Sequence, residues 1–358
     1  MRKFTPNPSV SQAPAILEGS TAVIIGRWQL FHKGHETLLN TALAVAAQVI
    51  VVIGSSLRAR DSSNPFTWEE RQAMVQAGLS ASDLPRVKFL PVRDYFDDDR
   101  WNAAIANGVK ELTASLSASS GPITLVGFKR DRTSFRLDSS LAWPRLEVPH
   151  EVDIEATALR NVFFEGTDPD ARLAVLAPFV SKPVLGYLQA WARLPAYTEL
   201  VREYLAVANY RKRWAPNCYL TADAVVVVAR HLLLVRRKGD IGHGLWALPG
   251  GFVEPNERLY SAAVRELMEE TGFKVLASTM RAALQGSEVF DDPKRSPRGR
   301  LVTNAFYFNF GEMRLPEVKG ADDAMDAKWV PVEELAQYEN KLFEDHAAIV
   351  DRFVGVYR

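Results

Sequence analysis

The densest chemical signal in the sequence is a trio of carboxylates, Glu266, Glu269 and Glu270, in a stretch with helical character. On a helix, residues three and four positions apart share one face, so these side chains lie together. Like charges this close repel one another and favour a bound divalent cation. Carboxylate oxygens suit Mg²⁺, and Mn²⁺ takes the same donors. The trio therefore predicts a metal site at which a metal-bound water attacks a diphosphate.

The residues around this trio follow a regular spacing. Gly251 is followed after five residues by Glu257 and after seven more by Arg265, and Gly272 closes the segment. Gly272 fits a left-handed helix end, and Gly250 before Gly251 allows a tight loop leading to the helix. The alternative is a solvated helix face crossed by salt bridges. The complete spacing, with glycines at both ends, favours the metal site.

A second chemical segment, residues 26–35 with the sequence GRWQLFHKGH, contains two histidines three residues apart. It follows the first apolar run and opens the first helical pattern, where backbone N–H groups and the helix dipole attract anions. His32 and His35 can converge on one phosphate chain, and Gly34 lets a nucleotide approach the backbone. The alternative is an accidental pair on a loop and a helix cap. The other residues expected to bind nucleotide here are Gly26, Arg27 and Lys33.

Two further clusters support this phosphate site. Residues 153–160 (DIEATALR) would open another helix, whose start Thr157 could cap and from which Arg160 could point back at a phosphate. Residues 128–136 (FKRDRTSFR) contain four cations directly after a strand-like run, and Lys129 is the candidate ligand among them. The alternative for the second cluster is a solvated surface loop.

The elements that must position these residues alternate in the first half of the chain. Strands are predicted at 21–25, 49–53, 87–91 and 123–126, and helices at 36–47, 69–79 and 101–116. Such alternation predicts βαβ units, a parallel sheet and an α/β fold. In such sheets ligands bind at the carboxyl ends of the strands. The histidine segment and the basic cluster both follow predicted strands, so we expect them at the same sheet edge.

The second half has a different, mixed pattern. Residues 182–214 are helical and punctuated by prolines, which places the domain junction there. A hairpin is predicted from the runs 222–228 and 232–235, with a turn around Arg230 and His231. A helix at 256–270, strands near 301–310 and 327–330, and a helix from about Phe343 follow. No internal repeat links the halves.

Length and composition limit the classes of protein. The chain has 358 residues, 47% hydrophobic and 24% charged, which predicts a soluble globular protein of two domains. Lys+Arg and Asp+Glu number 43 each, so no overall charge attracts nucleic acid or a membrane surface, and neither partner is expected. No apolar run is long enough to span a membrane. The single cysteine, Cys218, fits a reducing compartment, and we expect a cytoplasmic protein.

The acidic segment resembles the Nudix hydrolases, because it matches the pattern GX5EX7REUXEEXGU in full, over a region from about 222 to 357. The resemblance implies an α/β/α sandwich that cleaves a nucleoside diphosphate linked to another group. The loop 289–300 is similar to that of ADP-ribose pyrophosphatases fused to adenylyltransferases, with Arg295 and Arg300 as substrate-binding candidates; a mobile hairpin tip is the alternative. Trp246 and Phe252 could stack on adenine or belong to the core.

The histidine segment resembles the nicotinamide-nucleotide adenylyltransferases of the HxGH superfamily, together with NPFTWEER at 64–71 and EATALR at 155–160. The resemblance implies a Rossmann-like domain that binds ATP and nicotinamide mononucleotide (NMN). His32 and His35 would hold ATP phosphates, Arg160 the β/γ end, and Trp101 would stack on nicotinamide unless it is a core residue. The sequence departs from the family at three positions: Trp28, Leu30 and Glu155, where Glu155 replaces a serine and adds a negative charge.

Both modules in one chain match a bifunctional family that makes NAD and hydrolyses ADP-ribose. We expect a flexible tail at 1–18, the nucleotidyltransferase domain at 19–181, a helical linker at 182–216 and the Nudix domain at 217–358. Two alternatives stay open. The first domain could transfer a nucleotide to another phosphate acceptor, with the Nudix domain acting on another nucleoside diphosphate derivative. Alternatively, the first domain could be a non-catalytic nucleotide sensor.

Overall fold

The computed structural model describes residues 17–95, 97–114, 121–128, 141, 143–149, 155–214 and 217–357. Most of the predicted tail and nearly all of the basic cluster 128–136, including Lys129, lie outside the described residues. The last two residues assigned to the tail, 17 and 18, already belong to the first strand.

The first half forms a five-stranded parallel sheet, which confirms the βαβ prediction. Its strand order is β3-β2-β1-β4-β5. After β3 the chain returns to the other side of β1, so the strand order reverses between β1 and β4. That reversal is the usual position of a ligand site in an open α/β sheet. The strands are β1 (Leu17–Gly26), β2 (Ala46–Ile53), β3 (Val87–Pro91), β4 (Ile123–Phe128) and β5 (Arg145–Val148).

Helices cover both faces of this sheet. One apolar cluster includes Ile24, Leu39 and Phe163 on one face, and another joins Val23, Ile50 and Ile105 on the other. Side chains from alternate positions of β1 enter opposite clusters, as strand geometry requires. The helices are α1 (Lys33–Val45), α2 (Trp68–Ala77), α3 (Asp98–Ala114), α4 (Ala156–Phe164) and α5 (Pro169–Leu176).

The predicted linker is helical, with α6 (Lys182–Trp191) and α7 (Pro195–Trp214). The apolar side chains of these two helices pack into the first domain: Leu188, Trp191 and Leu200 belong to the same apolar cluster as Ile24. The Trp191 indole also donates to a Glu70 carboxylate oxygen at 2.8 Å. We therefore propose that the first domain includes α6 and the beginning of α7.

The second half forms a mixed sheet with the path β10-β11-β6-β7-β12, and two short strands pair with β6 and β7. Its predicted hairpin is present, and Ala229 and Arg230 turn the chain with φ of 43° and 57°. The strands are β6 (Cys218–Val228), β7 (His231–Arg237), β8 (Trp246–Ala247), β9 (Gly250–Phe252), β10 (Leu284–Phe290), β11 (Arg300–Asn309) and β12 (Ala324–Pro331).

Helices lie on both faces of this second sheet and make it a sandwich. Leu267 of α8 (Leu259–Thr271) packs with Val226 on one face, and Ile349 of α10 (His346–Val354) packs with Val225 on the other. A short α9 (Ala277–Ala283) precedes β10, and a 3₁₀ segment (Val332–Lys341) precedes α10.

Several predicted boundaries were wrong. Helix α1 begins at Lys33 rather than at 36, because His32 caps it, and α8 begins at Leu259 rather than at 256. The sequence prediction also missed β5, β8, β9, β10, α5 and α9, each of eight residues or fewer. No helix in the described ranges is both long and apolar enough to cross a lipid bilayer.

Polar contacts join the two domains. The Arg100 guanidinium on α3 donates to an Asp351 carboxylate oxygen at 2.7 Å and to the Tyr357 carbonyl at 2.6 Å. Arg93 lies 3.3 Å from the Glu339 carboxylate. Arg58, after β2, donates to the Arg295 carbonyl at 3.4 Å. The C-terminal segment is thus attached to the first domain.

Two candidate active sites

The histidine pair sits where β1 ends and α1 begins. His32 is the N-cap of α1, and its Nδ1 accepts from the Gly34 N–H at 3.1 Å. The His32 and His35 rings stack with their centroids 3.8 Å apart. A Cβ on Gly34 would lie 3.0 Å from the His32 ring, so glycine permits this arrangement. Both imidazoles thus stand together at a helix N-terminus, where an anion is favoured.

The turn before the histidines holds two of the departures from the family pattern. Trp28 and Leu30 have positive φ values of 53° and 73°, which non-glycine residues adopt only when their surroundings compel it. Both side chains are buried, and the Trp28 indole donates to the Val52 carbonyl at 2.8 Å. Between them, the Gln29 amide donates to the Phe66 carbonyl at 3.1 Å. Burial and hydrogen bonds therefore hold the strained turn in place.

Arginines surround this turn and make the site positive. Arg71, fully buried, donates to the carbonyls of Arg27 and Gly54 at 2.7 Å each. Arg160 donates to the Gln29 carbonyl at 3.1 Å. Burial lowers the pKa of both Arg71 and Arg160 to about 10, and the charge of Arg27 adds to the effect. Cations held this close together are stabilised by a bound anion. Sequence reasoning missed the scaffold role of Arg71, although it lies in the quoted motif NPFTWEER.

Other residues predicted for this site make contacts that differ from the expected ones. Thr157 does not cap α4, because Glu155 occupies the N-cap position, and the Thr157 hydroxyl instead accepts from Arg160 at 3.0 Å. Glu155 is exposed at that helix start. Lys33 points to the Pro178 carbonyl at 2.8 Å. Trp101 is half-buried and packs against the apolar cluster that contains Val23, Ile50 and Ile105.

The second candidate site is a cleft of about 230 Å³ that contains the three predicted carboxylates. Glu270 is buried, and its Oε2 accepts from the Gly250 N–H at 3.0 Å. Burial raises the pKa of Glu270 to about 8 against this hydrogen bond, and the neighbouring charge of Glu266 raises it further. Burial also raises the pKa of Glu266. These carboxylates are therefore costly to ionise without a cation.

Arg265 joins the glutamates of the predicted spacing in three dimensions. Its guanidinium donates to both Glu257 oxygens, and to Glu266 and Glu269, each at 2.9 Å. These contacts give the eight-residue separation of Glu257 and Arg265 a structural role. Gly272 ends α8 in the left-handed conformation with φ of 65°, as the sequence predicted.

The two glycines let β9 pack closely against β6 and α8. A Cβ on Gly251 would lie 2.4 Å from a Glu266 carboxylate oxygen. A Cβ on Gly250 would lie 2.6 Å from the Ala222 carbonyl and 2.2 Å from the Asp223 carboxylate. Gly250 thus allows close backbone packing, whereas Gly251 leaves room for Glu266.

The donor set of the cleft fits a hard divalent cation. Glu266, Glu269 and Glu270 offer carboxylate oxygens on one face of α8, which is the chemistry that Mg²⁺ and Mn²⁺ prefer. No three side chains of the metal-binding types already form a closed cluster in the described ranges. Arg265 meanwhile pairs with two of the three carboxylates.

Only one of the two arginines predicted from the basic loop lines the cleft. Arg295 lines the cleft, but it is buried and paired with Asp345 at 2.7 and 2.8 Å. Arg300 is bound to the Asp291 carbonyl and is not among the lining residues, whereas Arg298 is. Phe252 lines the cleft and is 41% exposed; Trp246 packs in the core. Sequence reasoning missed further lining residues: Asp223, Arg237, Arg298 and His346.

Comparison with known families finds one match in each half. A cytidylyltransferase-like domain matches residues 23–161, and a NUDIX domain matches residues 219–353. The nicotinamide/nicotinic acid mononucleotide adenylyltransferase of Acinetobacter baylyi is 30% identical over 185 residues, which span 50% of this chain and 96% of that protein. The ADP-ribose pyrophosphatase of Methanocaldococcus jannaschii is 33% identical over 135 residues, which span 38% of this chain and 72% of that protein.

A solved structure matches both halves at once. It is a bifunctional NMN adenylyltransferase/ADP-ribose pyrophosphatase from Francisella tularensis, complexed with AMP and a manganese ion. It is 31% identical to this chain, with a TM-score of 0.83 over 94% of this chain and 98% of that one. The α/β, Rossmann-like and Nudix predictions are confirmed. The chain belongs to the family of bifunctional NMN adenylyltransferase/ADP-ribose pyrophosphatases.

Proposed function

We propose that the chain transfers the adenylyl group of ATP to NMN, giving NAD and pyrophosphate, and hydrolyses ADP-ribose to AMP and ribose 5-phosphate. The observation that carries the proposal is the presence, in one chain, of a stacked histidine pair at a parallel-sheet edge and a three-carboxylate face lining a separate cleft. Each constellation fits one of the two reactions.

For adenylyl transfer, positioning and charge stabilisation are the main tasks, because the NMN phosphate attacks the α-phosphorus of ATP directly. His32 and His35 would bind the ATP phosphates at the start of α1. Arg160, held by the Gln29 carbonyl, would bind the β/γ end. Gly26, Arg27 and Gly34 would frame the nucleotide. Lys33, Thr157 and Trp101 would act indirectly in this conformation, since each side chain already packs or bonds elsewhere.

For hydrolysis, a divalent metal would be held by Glu266, Glu269 and Glu270, and we propose Mg²⁺ with Mn²⁺ as a substitute. Such a metal supplies a nucleophilic water and neutralises the diphosphate charge. The chain's own groups do the rest: Gly250 orients Glu270 through its N–H, and Arg265 orients Glu266 and Glu269. Arg295 would contribute positive charge to the cleft beside its partner Asp345.

A coupled assay for NAD formed from NMN, ATP and Mg²⁺, run beside an assay for AMP released from ADP-ribose, tests the proposal. NAD formation with ADP-ribose cleavage is the expected result. ADP-ribose cleavage without NAD would instead favour another phosphate acceptor or a sensor role for the first domain. We place both reactions in the cytoplasm, since a single cysteine, Cys218, suits a reducing compartment.

A further inference from the structure

His346 lies in the wall of the carboxylate cleft, although it is outside the Nudix spacing. It is the first residue of α10, which packs on the face of the sheet opposite α8. The same cleft is lined by Glu270, Asp223 and Arg295. The ring is 6% exposed, so little of it is accessible except from the cleft.

One ring nitrogen of His346 is committed to the backbone. Nδ1 accepts from the Leu248 N–H at 2.9 Å, which requires Nδ1 to be unprotonated. A neutral imidazole then carries its proton on Nε2. The Phe343 ring meets the imidazole edge-on at 5.7 Å and limits its rotation. The hydrogen bond therefore decides both the tautomer and the orientation.

The surroundings keep His346 neutral. Burial holds the pKa of His346 well below its usual range, and the charges of Arg295, Arg237 and Arg298 lower it further. A buried carboxylate at Asp345 precedes it in the chain, but that carboxylate is paired with Arg295. His346 is thus a neutral N–H donor, whereas the arginines that line the same cleft carry positive charge.

Nε2 has no hydrogen-bond acceptor among the described residues, although the ring lines the cleft. We propose that the His346 Nε2–H donates a hydrogen bond to an oxygen of the nucleoside-diphosphate sugar bound in this cleft. The acceptor is a phosphate or ribose oxygen, which the neutral donor can bind without adding charge. This inference rests on the proposed hydrolase function and names a substrate-binding residue for it.

The position of Leu248 places the His346 donor near the carboxylate face. Leu248 lies two residues before Gly250, whose N–H binds Glu270. His346 and Glu270 therefore both accept hydrogen bonds from the backbone of the segment 248–250. A substrate oxygen near Nε2 would be held at a constant position relative to the carboxylate face.

Two substitutions separate substrate binding from a purely structural role. In His346→Asn, Oδ1 can still accept from Leu248, but the Nε2 donor is lost. In His346→Gln, the side-chain amide reaches the position of Nε2 and restores a donor, while the acceptor for Leu248 is displaced. Steady-state hydrolysis of ADP-ribose is measured for both with the full chain, beside melting temperature and NAD formation.

We expect His346→Asn to lower kcat/KM for ADP-ribose about threefold to tenfold, the loss of one neutral hydrogen bond, and His346→Gln to stay within about twofold of the unaltered chain. An unchanged His346→Asn, or a His346→Gln as impaired as His346→Asn, would overturn the inference. Inhibition by AMP and by ribose 5-phosphate then assigns the acceptor, because only the product that carries it loses affinity. Absence of ADP-ribose hydrolysis in the unaltered chain would instead reject the proposed function.

Discussion

At the scale of single residues, each site depends on side chains that lie in its own domain. His35 stacks on His32 beside the first sheet, and Glu270 is bonded to Gly250 beside the second. No hydrogen bond or ion pair of the described residues joins these two constellations directly. Removing one group should therefore affect one reaction.

We expect His35→Ala to lower adenylyl transfer at least about a hundredfold, because a group that stabilises phosphate charge is lost, and to leave ADP-ribose hydrolysis intact. Glu270→Gln should do the reverse, since the amide oxygen can still accept from Gly250 while the carboxylate charge is lost. Rates of NAD and AMP formation check both. His243→Ala and Glu312→Gln, both exposed, serve as controls. Loss of both activities in either variant would contradict two independent sites.

At the scale of elements, function requires β9 to lie close to α8. The two glycines of β9 face different neighbours. A Cβ on Gly250 would meet the Asp223 carboxylate and the backbone of Ala222 and Asp223, whereas the three atoms nearest to a Cβ on Gly251 belong to the Glu266 carboxylate. The backbone beside Gly250 cannot shift without disturbing the sheet, whereas the carboxylate end of Glu266 can move to another rotamer. The two positions should thus differ in whether substitution damages stability or activity.

We expect Gly251→Ala to lower ADP-ribose hydrolysis about tenfold to a hundredfold, a range typical of disturbed support around metal ligands, with little change in melting temperature. Gly250→Ala should lower the melting temperature as well. Gly286→Ala on β10, where a Cβ would meet no atom within 4 Å, is the matched control. Equal melting temperatures for the Gly250 and Gly251 variants would be inconsistent with this packing.

At the scale of the whole molecule, the end of the chain attaches the second domain to the first. Arg100 reaches from α3 to Asp351 and to the Tyr357 carbonyl. The Asp351 carboxylate is buried and also accepts from the Tyr357 N–H at 2.8 Å. Neither Arg100 nor Asp351 contacts the histidine pair or the three carboxylates among the described residues, so we expect this contact to affect stability rather than chemistry.

We expect Arg100→Ala to cost no more than about 1 kcal/mol, because the arginine is 43% exposed and solvent screens it. The melting midpoint in calorimetry should fall by about 2–4 °C at low salt and by less at high salt. Both activities should persist. Lys110→Ala, exposed on the same helix, should leave the midpoint unchanged. A midpoint unaffected at every salt concentration would show that Arg100 does not hold the domains together.

The sequence by itself determined the two chemistries and the α/β class. Motifs such as residues 26–35 and the spacing from Gly251 to Gly272 are local, because a helix turns chain separation directly into a shared face. The parallel sheet followed from alternating periodicities, since strands and helices differ in repeat. Long apolar runs such as β6 were found for the same reason, whereas β8 and β9 are too short to show a period.

Only the tertiary structure decided which side chains complete each site. Arg71 and His346 lie far in sequence from the groups they contact, and their partners are backbone atoms, which carry no sequence signature. The choice of Arg298 over Arg300 as a lining residue depended on how the loop folds back onto Glu344. Such pairings depend on burial and on the approach of separate elements, which local pattern cannot encode.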